Sequence, residues 1–326
     1  MPNSKKSISV IISTFNRADL LRDAGRSVLE QEFDPQEYEL VIVDNNCVDS
    51  TPEVVRQLID QYNRHSIVYI QEREQGLSAA RNAGARAACG EIVAFMDDDS
   101  EADSQWLHEL WSVYRAFPQA ASVGGKILPV WIGAKPEWFN GIAENINRLD
   151  RGDQIKEFVF PEHPFGGNLS ARRDVLLSLG GFSQMLGRKK QGLLSNEEKE
   201  FYYRLSRLTG FRTLYAPAAV VYHKSYGEKM TRSYVLKRFY WQGVSESLFE
   251  QLTGAKTRRQ LLGLGVTRAW RIVLLAWKLL KDRTLVRKRS RLDGVLILCQ
   301  EIGKCKMELA AGMRQIFGKP PPERKF

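Results

Sequence analysis

The chain predicts an α/β fold: a mostly parallel sheet flanked by helices, followed by a helical, basic C-terminal extension. Three observations predict it. Short apolar runs alternate with helical periodicity from Ile8 to Met96. Polar residues stand where each apolar run stops. The charge then changes sign near residue 230. Alternation of this kind gives a sheet with helices on both faces.

The elements follow in order. Residues 8–13 form an apolar strand, and residues 16–31 a helix with Ala18, Leu21, Ala24 and Val28 at helical spacing. Residues 40–43 form a second strand that ends at Asp44. Ser50-Thr51-Pro52-Glu53 opens the next helix with a capping residue, a Pro in the first turn and an early acid. Residues 67–70 form a third strand. Residues 76–89 form an Ala-rich helix, small enough to approach a sheet or a ligand closely. Residues 92–96 form the fourth strand. After Pro118 the alternation loosens, and residues 129–165, rich in Pro, Gly and Trp, read as a long functional loop region. Pattern returns at residues 165–170. A helix over 173–179, a helix over 196–208 and strands over 212–215 and 218–222 close the front.

The 326 residues are 43% hydrophobic, enough for a real core and against wholesale disorder. The opening residues give no expectation of a secretory signal, because the apolar run at 8–12 is too short, and no apolar stretch approaches the ~20 residues needed to span a bilayer. Cys47, Cys89, Cys299 and Cys305 show neither metal-ligand spacing nor disulfide density, so a reducing, cytoplasmic compartment is the simpler expectation. Residues 231–326 hold 21 Lys+Arg and 7 Asp+Glu, a net of +14. The whole chain is +10, so residues 1–230 sum to −4. A strongly basic segment seeks nucleic acid or anionic lipid.

Asp97-Asp98-Asp99 ends the fourth strand. Open α/β sheets bind ligands at such edges. Adjacent carboxylates repel one another unless solvated or gathered round a cation, and hard cations bind carboxylates together with substrate phosphates. Taken alone, the triplet is more often a solvated loop. Thr14, Asn16, Asp44 and residues 71–74 stand at the other strand ends and would converge on the same edge. Asp44 is either a hydrogen-bond acceptor for a base or ribose, or a cap on the following turn. Asp49 reads as a local turn or cap residue. No Gly-x-Gly-x-x-Gly follows the first strand, which argues against a dinucleotide-binding dehydrogenase.

Four segments occur in order: Ser-Thr-Phe-Asn-Arg from Ser13, Val-Asp-Asn-Asn-Cys-Val-Asp-Ser-Thr from Val43, Gln-Gly-Leu-Ser-Ala-Ala-Arg-Asn-Ala-Gly from Gln75, and Phe-Met-Asp-Asp-Asp-Ser from Phe95. Gly166-Gly167-Asn168-Leu169-Ser170 and Tyr215 to His223 extend the set. Together they resemble family 2 glycosyltransferases with the GT-A fold, a Rossmann-like sheet, over about two-thirds of the chain. The resemblance implies a nucleotide-sugar donor, most often uridine diphosphate-linked, and a divalent cation, Mn²⁺ or Mg²⁺. By position it puts Thr14, Asn16, Asp44 and Arg81 at the uridine. It puts Asp97 and Asp98 near ribose and diphosphate, and Asp99 on the metal. His223 is implied as a further metal or diphosphate ligand. Imidazole suits Mn²⁺ better than Mg²⁺, and a lone His after a strand is otherwise structural.

Inverting sugar transfer is a single displacement in which a carboxylate takes the acceptor proton. The family's acid pair, commonly Glu-Asp, matches Glu197-Glu198, so Glu198 is the expected base and Glu197 the alternative. Here Glu replaces the usual Asp. The bland alternative for both is an acidic helix start interacting with the macrodipole. Trp131, Trp138, Phe139 and Phe165 serve either sugar stacking or packing.

The tail predicts one helix over 258–291. Leu262, Val266, Trp270, Val273, Trp277 and Leu280 form its apolar stripe. Arg268, Arg271 and Lys278 form another, and Arg287, Lys288, Arg289 and Arg291 follow. It either lies in a membrane interface or packs on the catalytic domain. No Gln-x-x-Arg-Trp motif of processive synthases occurs, which favours single-sugar addition. The expected organisation is a glycosyltransferase domain over 1–228, with a donor half over about 1–128 and an acceptor half over about 129–228, then the extension over 229–326. The expected activity is metal-assisted, inverting transfer to a glycan or lipid-linked acceptor at the cytoplasmic face of an anionic membrane. The rivals are a nucleotidyltransferase, for which the Gly-rich phosphate loop is missing, and a basic nucleic-acid-binding protein, for which recognition motifs are missing.

Overall fold

The computed structural model describes residues 6–189, 192–254, 258–281 and 288–317. They divide into two compact units. One comprises Met1–Ala134, Asn145–Lys190 and Glu197–Tyr226; the other comprises Lys135–Glu144, Gln191–Asn196 and Gly227–Phe326.

The first unit is built on one mixed sheet, with nine strands among the described residues. In chain order its elements are β1 (Ile8–Thr14), α1 (Ala18–Leu29), β2 (Tyr38–Asp44), α2 (Thr51–Gln61), β3 (Ser66–Gln71), α3 (Leu77–Ala87) and β4 (Ile92–Asp97). Then come β5 (Ser100–Ala102), α4 (Trp106–Ala116), β6 (Ala120–Ile132), β7 (Lys156–Glu157), β8 (Asn168–Arg172), α5 (Arg173–Ser178), α6 (Glu197–Leu205) and β9 (Arg212–Tyr226). The strand order is β3-β2-β1-β4-β8-β6-β9-β5, with β7 on β9. The β3-β2-β1-β4 block is parallel, as is β6 with β9, whereas β8 runs antiparallel to both its neighbours.

The parallel strands read as continuous apolar runs because both faces are covered. Ile8, Val10 and Ile12 of β1 face a core made with Leu21, Val28, Leu58 and Trp106. Ile11, one residue out of phase, faces Val43, Phe95, Phe182 and Phe201 on the other side. This is the period of two that a strand imposes. The Ala-rich helix does approach closely: a Cβ on Gly84 of α3 would lie 2.5 Å from Ile11 Cγ2.

Three expectations change. Residues 106–116 and 120–132, left unassigned by pattern, form α4 and the long β6, so the loop region begins at residue 133 rather than 129. The strands expected at 212–215 and 218–222 are one strand, β9. Its register against β6 shifts between Gly125/Ala216 and Lys126/Val220, so Pro217-Ala218-Ala219 is absorbed as a bulge, where Pro is tolerated. The third change lies in the second unit. The helix expected over 258–291 is two helices, α8 (Arg258–Lys281) and α9 (Lys288–Phe317), preceded by α7 (Arg232–Leu252). Arg287 lies outside the described residues.

Glycine packs these helices tightly. A Cβ on Gly243 of α7 would meet Gln300 O of α9 at 1.8 Å, and one on Gly303 of α9 would meet Tyr240 O of α7 at 2.0 Å. Thr231 caps α7 by accepting the Tyr234 N–H. Buried Glu308 pairs with Arg268 at 2.9 Å. Residues 135–144 and 191–196 belong to this unit too. Ile142 donates its N–H to Asp293 of α9, and Ser195 its hydroxyl to Gln242 of α7.

Candidate active site

In the first unit, β2 and β3 lie to one side of β1 and β4 lies to the other, so the strand order reverses between β1 and β4. That is a topological switch point, and open α/β sheets bind ligands beyond the carboxyl ends of strands at such a point. Ser13 and Asp97 are register partners there, so the residues just beyond them, Thr14 to Arg17 and Asp98 to Asp99, meet across the switch.

Thr14 Oγ1 donates to Asp98 Oδ2 at 2.9 Å. Arg17 Nη1 reaches Asp98 Oδ1 at 2.9 Å and Asp99 Oδ2 at 3.1 Å. Asp98 and Asp99 are both buried. Burial raises the Asp98 pKa, the Arg17 charge opposes that rise, and the Asp99 charge reinforces it. Arg17 was not singled out by sequence. Its signal was its place in the Ser-Thr-Phe-Asn-Arg segment, after Asn16, whose φ of +54° turns the chain out of β1.

The acidic triplet splits by side. The sequence grouped Asp97 with Asp98 and set Asp99 apart. In the structure, ligand atoms of Asp97, Asp99 and His223 lie within 4.8 Å of one another, while Asp98 turns to Thr14 and Arg17. Asp97 ends β4, and Asp98 and Asp99 form the turn that follows it, with Arg17 bridging those two. His223 arrives from β9, where it is the register partner of Ser100, and its Nε2 is 3.2 Å from Asp99 Oδ1. Two carboxylates and an imidazole in this spacing fit a divalent cation, and the imidazole favours Mn²⁺ over Mg²⁺.

Arg81, expected at the uridine, is surrounded by carboxylates. Its guanidinium, nearly inaccessible, sits among three carboxylates: Asp97 Oδ1 at 3.1 Å, Glu197 Oε1 at 3.1 Å and Glu198 Oε1 at 3.2 Å. It therefore joins the metal-side acid to the acid pair. Burial disfavours the Arg81 charge, but Glu198, Asp97 and Glu197 outweigh that and raise its pKa. The two glutamates diverge. Burial, reinforced by the Glu198 charge, pushes Glu197 well above the ordinary carboxyl range. Burial also works against ionised Glu198, but the Arg81 charge and a backbone hydrogen bond hold it below that range. Glu198 is the more accessible of the pair, its side chain 15% exposed against 3% for Glu197.

Local hydrogen bonds fix this arrangement. Asn45 accepts the Gly76 N–H and donates to the Glu72 and Glu74 carbonyls, setting the start of α3 and hence Arg81. Asn82 exchanges two hydrogen bonds with the Phe182 backbone. Asn168 accepts from Trp106 Nε1 and donates to the Lys126 and Ala219 carbonyls, tying α4, β6 and β9 at one buried point. Gly166 lies against the acid pair: a Cβ there would stand 2.1 Å from Glu198 Oε1 and 2.4 Å from an Arg81 nitrogen.

Asn16 and Asp44 support a loop. Asn16 Oδ1 accepts the Val48 N–H. Asp44 accepts the Cys47 N–H of the following turn and the Tyr69 hydroxyl. Asp49 caps locally, accepting from Thr51, and also accepts the Ala18 N–H at the start of α1. Of the aromatic residues, Phe139 is buried and Phe165 partly exposed, while Trp138 lies under the Arg232 guanidinium in the second unit.

Comparison with known proteins now fits the geometry. The chain belongs to glycosyl transferase family 2, whose sequence model matches residues 9–172. It is thus a glycosyltransferase. It is 30% identical over 252 residues to the glucosyl-dolichyl phosphate glucuronosyltransferase of Haloferax volcanii, covering 75% of this chain and 78% of that one. It is 31% identical over 198 residues to the GalNAc(5)-diNAcBac-PP-undecaprenol beta-1,3-glucosyltransferase of Campylobacter jejuni, covering 60% and 61%. Among solved structures it is similar to the Pyrobaculum calidifontis mannosyltransferase PcManGT in complex with GDP-Man and Mn²⁺, with a TM-score of 0.61 at 17% identity over 97% of this chain and 88% of that one. S. aureus TarS 1-349 in complex with UDP-GlcNAc aligns with a TM-score of 0.52 at 15% identity, over 95% and 91%. These likenesses establish the GT-A fold.

Proposed function

We propose that the protein is an inverting, metal-assisted glycosyltransferase that moves a sugar from a uridine diphosphate-linked donor to a lipid-linked glycan. The observation that carries the reading is the opposed pair of sites joined by Arg81: Asp97, Asp99 and His223 on one side, Glu198 on the other. A cation held by Asp97, Asp99 and His223 would supply Lewis-acid neutralisation of the departing diphosphate. Thr14 and Arg17 orient Asp98 toward the donor, in the half formed by residues of about 1–128. Glu198, in the half of about 129–228, accepts the proton of the acceptor hydroxyl. As that proton leaves, the hydroxyl oxygen bonds to the donor's anomeric carbon and the carbon–oxygen bond to diphosphate breaks on the opposite face. Arg81 keeps Glu198 ionised before the proton arrives. Glu197, more deeply buried and biased toward its neutral form, is the poorer base.

A lipid-linked acceptor is supported by two relatives, one named for dolichyl phosphate and the other for undecaprenol. The uridine diphosphate donor is supported by the UDP-GlcNAc complex of one structural neighbour; the GDP-Man complex of the other makes a guanosine donor the alternative. The enzyme acts from the cytoplasmic face as a peripheral protein. Among the described residues no helix is long and apolar enough to cross a membrane. Nucleoside diphosphate release from a panel of sugar donors, with and without Mn²⁺, tests the proposal. Asp99→Ala and Glu198→Gln each lose turnover; equal turnover by the first removes the metal assignment, and by the second the base.

A further inference from the structure

The second unit leaves one apolar helix face open. On α8, Val266, Trp270, Val273 and Leu274 are 50%, 69%, 59% and 55% exposed. Their spacing of four, three and one residues puts them on a single side. The opposite side already has its partners: Gly265 packs against Leu309, and Arg268 pairs with Glu301 and Glu308 of α9. The exposed stripe is therefore surplus to the bundle. Exposed Arg271 flanks it. Over its length α8 contains six Lys/Arg and no Asp or Glu.

We propose that this face of α8 docks the protein onto an anionic bilayer, with Trp270 at the centre of the contact. The proposal deepens the membrane-surface reading above and rests on it. An amphipathic helix with an apolar stripe and basic flanks lies in the plane of the interface, its apolar side sunk into the headgroup–acyl boundary. Trp favours that depth, since its ring is apolar and its N–H is polar. Charge selects the lipid over the other occupant. A second copy would bring one +14 segment against another, which like-charge repulsion opposes. Anionic headgroups attract the same charge.

The test is flotation of the full chain with vesicles of phosphatidylcholine alone or with roughly one-third phosphatidylglycerol. The parent floats with the anionic vesicles and not with the neutral ones. Trp270→Glu with Val273→Glu lowers partitioning by about tenfold or more, whereas Trp270→Phe retains it. Both positions are exposed, so the melting temperature and diphosphate release to a water-soluble acceptor stay at parental values. Trp270→Ala serves as the milder substitution should the double variant fail to fold. Parental flotation by the variant overturns the proposal, as does failure of the parent to bind anionic vesicles. A lipid-free dimer that the variant converts to monomer also overturns it, by assigning the face to a second copy. Flotation needs no donor and diphosphate release needs no vesicle, so failure of this proposal and failure of the transfer reaction are read separately.

Discussion

Gly166→Ala is a small perturbation with a large expected effect on chemistry. The added Cβ would stand 2.1 Å from Glu198 Oε1 and 2.4 and 2.7 Å from the two terminal nitrogens of Arg81. Ordinary contacts lie near ~3.5 Å, so the carboxylate and the guanidinium must withdraw by more than about 1 Å. A displacement of that size at a reacting group costs roughly 10²-fold in rate, or ~2.7 kcal/mol in the barrier. The fold is spared most of this. Gly166 has no left-handed φ, and the clashing atoms are the ends of long side chains. Alanine also restricts the unfolded chain, a gain of about 0.4–1 kcal/mol that offsets part of the weakened Arg81–Glu198 pair. The assay is kcat for nucleoside diphosphate release, with circular dichroism and melting on the same sample. The expected result is a kcat about a hundredfold lower in a folded protein. A folded variant with near-parental kcat would refute the placement of Glu198 at the reacting hydroxyl.

Arg81→Met leaves Asp97, Glu197 and Glu198 without their shared cation. Stripping the partner from buried charges costs about 3–5 kcal/mol, read as a lower urea midpoint. The activity profile carries a sign as well: kcat/KM falls as pH drops through the depressed Glu198 carboxyl, so the acid limb lies below the ~4.3 of an ordinary Glu. Arg81→Met moves that limb upward. Glu197 runs the other way. Its folded pKa is raised, so between the unfolded and folded values the native state holds the extra proton and stability declines as pH rises. In urea titrations across that range, Glu197→Gln removes the decline. Asp99→Asn abolishes the stabilisation by Mn²⁺ read as a rise in melting temperature; for the parent that stabilisation is about 2.7 kcal/mol at a hundredfold excess over Kd.

The site was legible because it is made by strand ends, and strand ends are where an apolar run meets Thr14, Asp44 or Asp97. Parallel strands covered on both faces advertise themselves as unbroken Val/Ile runs. The partners within the site were not legible. Which carboxylate faces which way depends on the turn that follows β4, and that put Asp97 with Asp99 and His223 rather than with Asp98. Arg81 is on α3 and Glu198 on α6, 117 residues apart, and no local pattern encodes that meeting. Asn16 and Asp44 also have a local task that the strand-end pattern did not show: they hold the β2–α2 loop. Pro217 concealed the continuity of β9, because a bulge and a strand break carry the same signature in sequence. In α8 the helical period was plain, but which side of the helix stays exposed is decided by Gly265 and Arg268 meeting α9.

The central claim is inverting transfer from a nucleotide sugar with Glu198 as the base. It is tested most directly by the anomeric configuration of the product, read by NMR after incubation with an α-linked uridine diphosphate sugar, a polyprenyl-linked acceptor and Mn²⁺. The account predicts a β-linked product and free uridine diphosphate, both lost in Glu198→Gln. An α-linked product, or pyrophosphate released from a nucleoside triphosphate and a sugar phosphate in place of transfer, would contradict it.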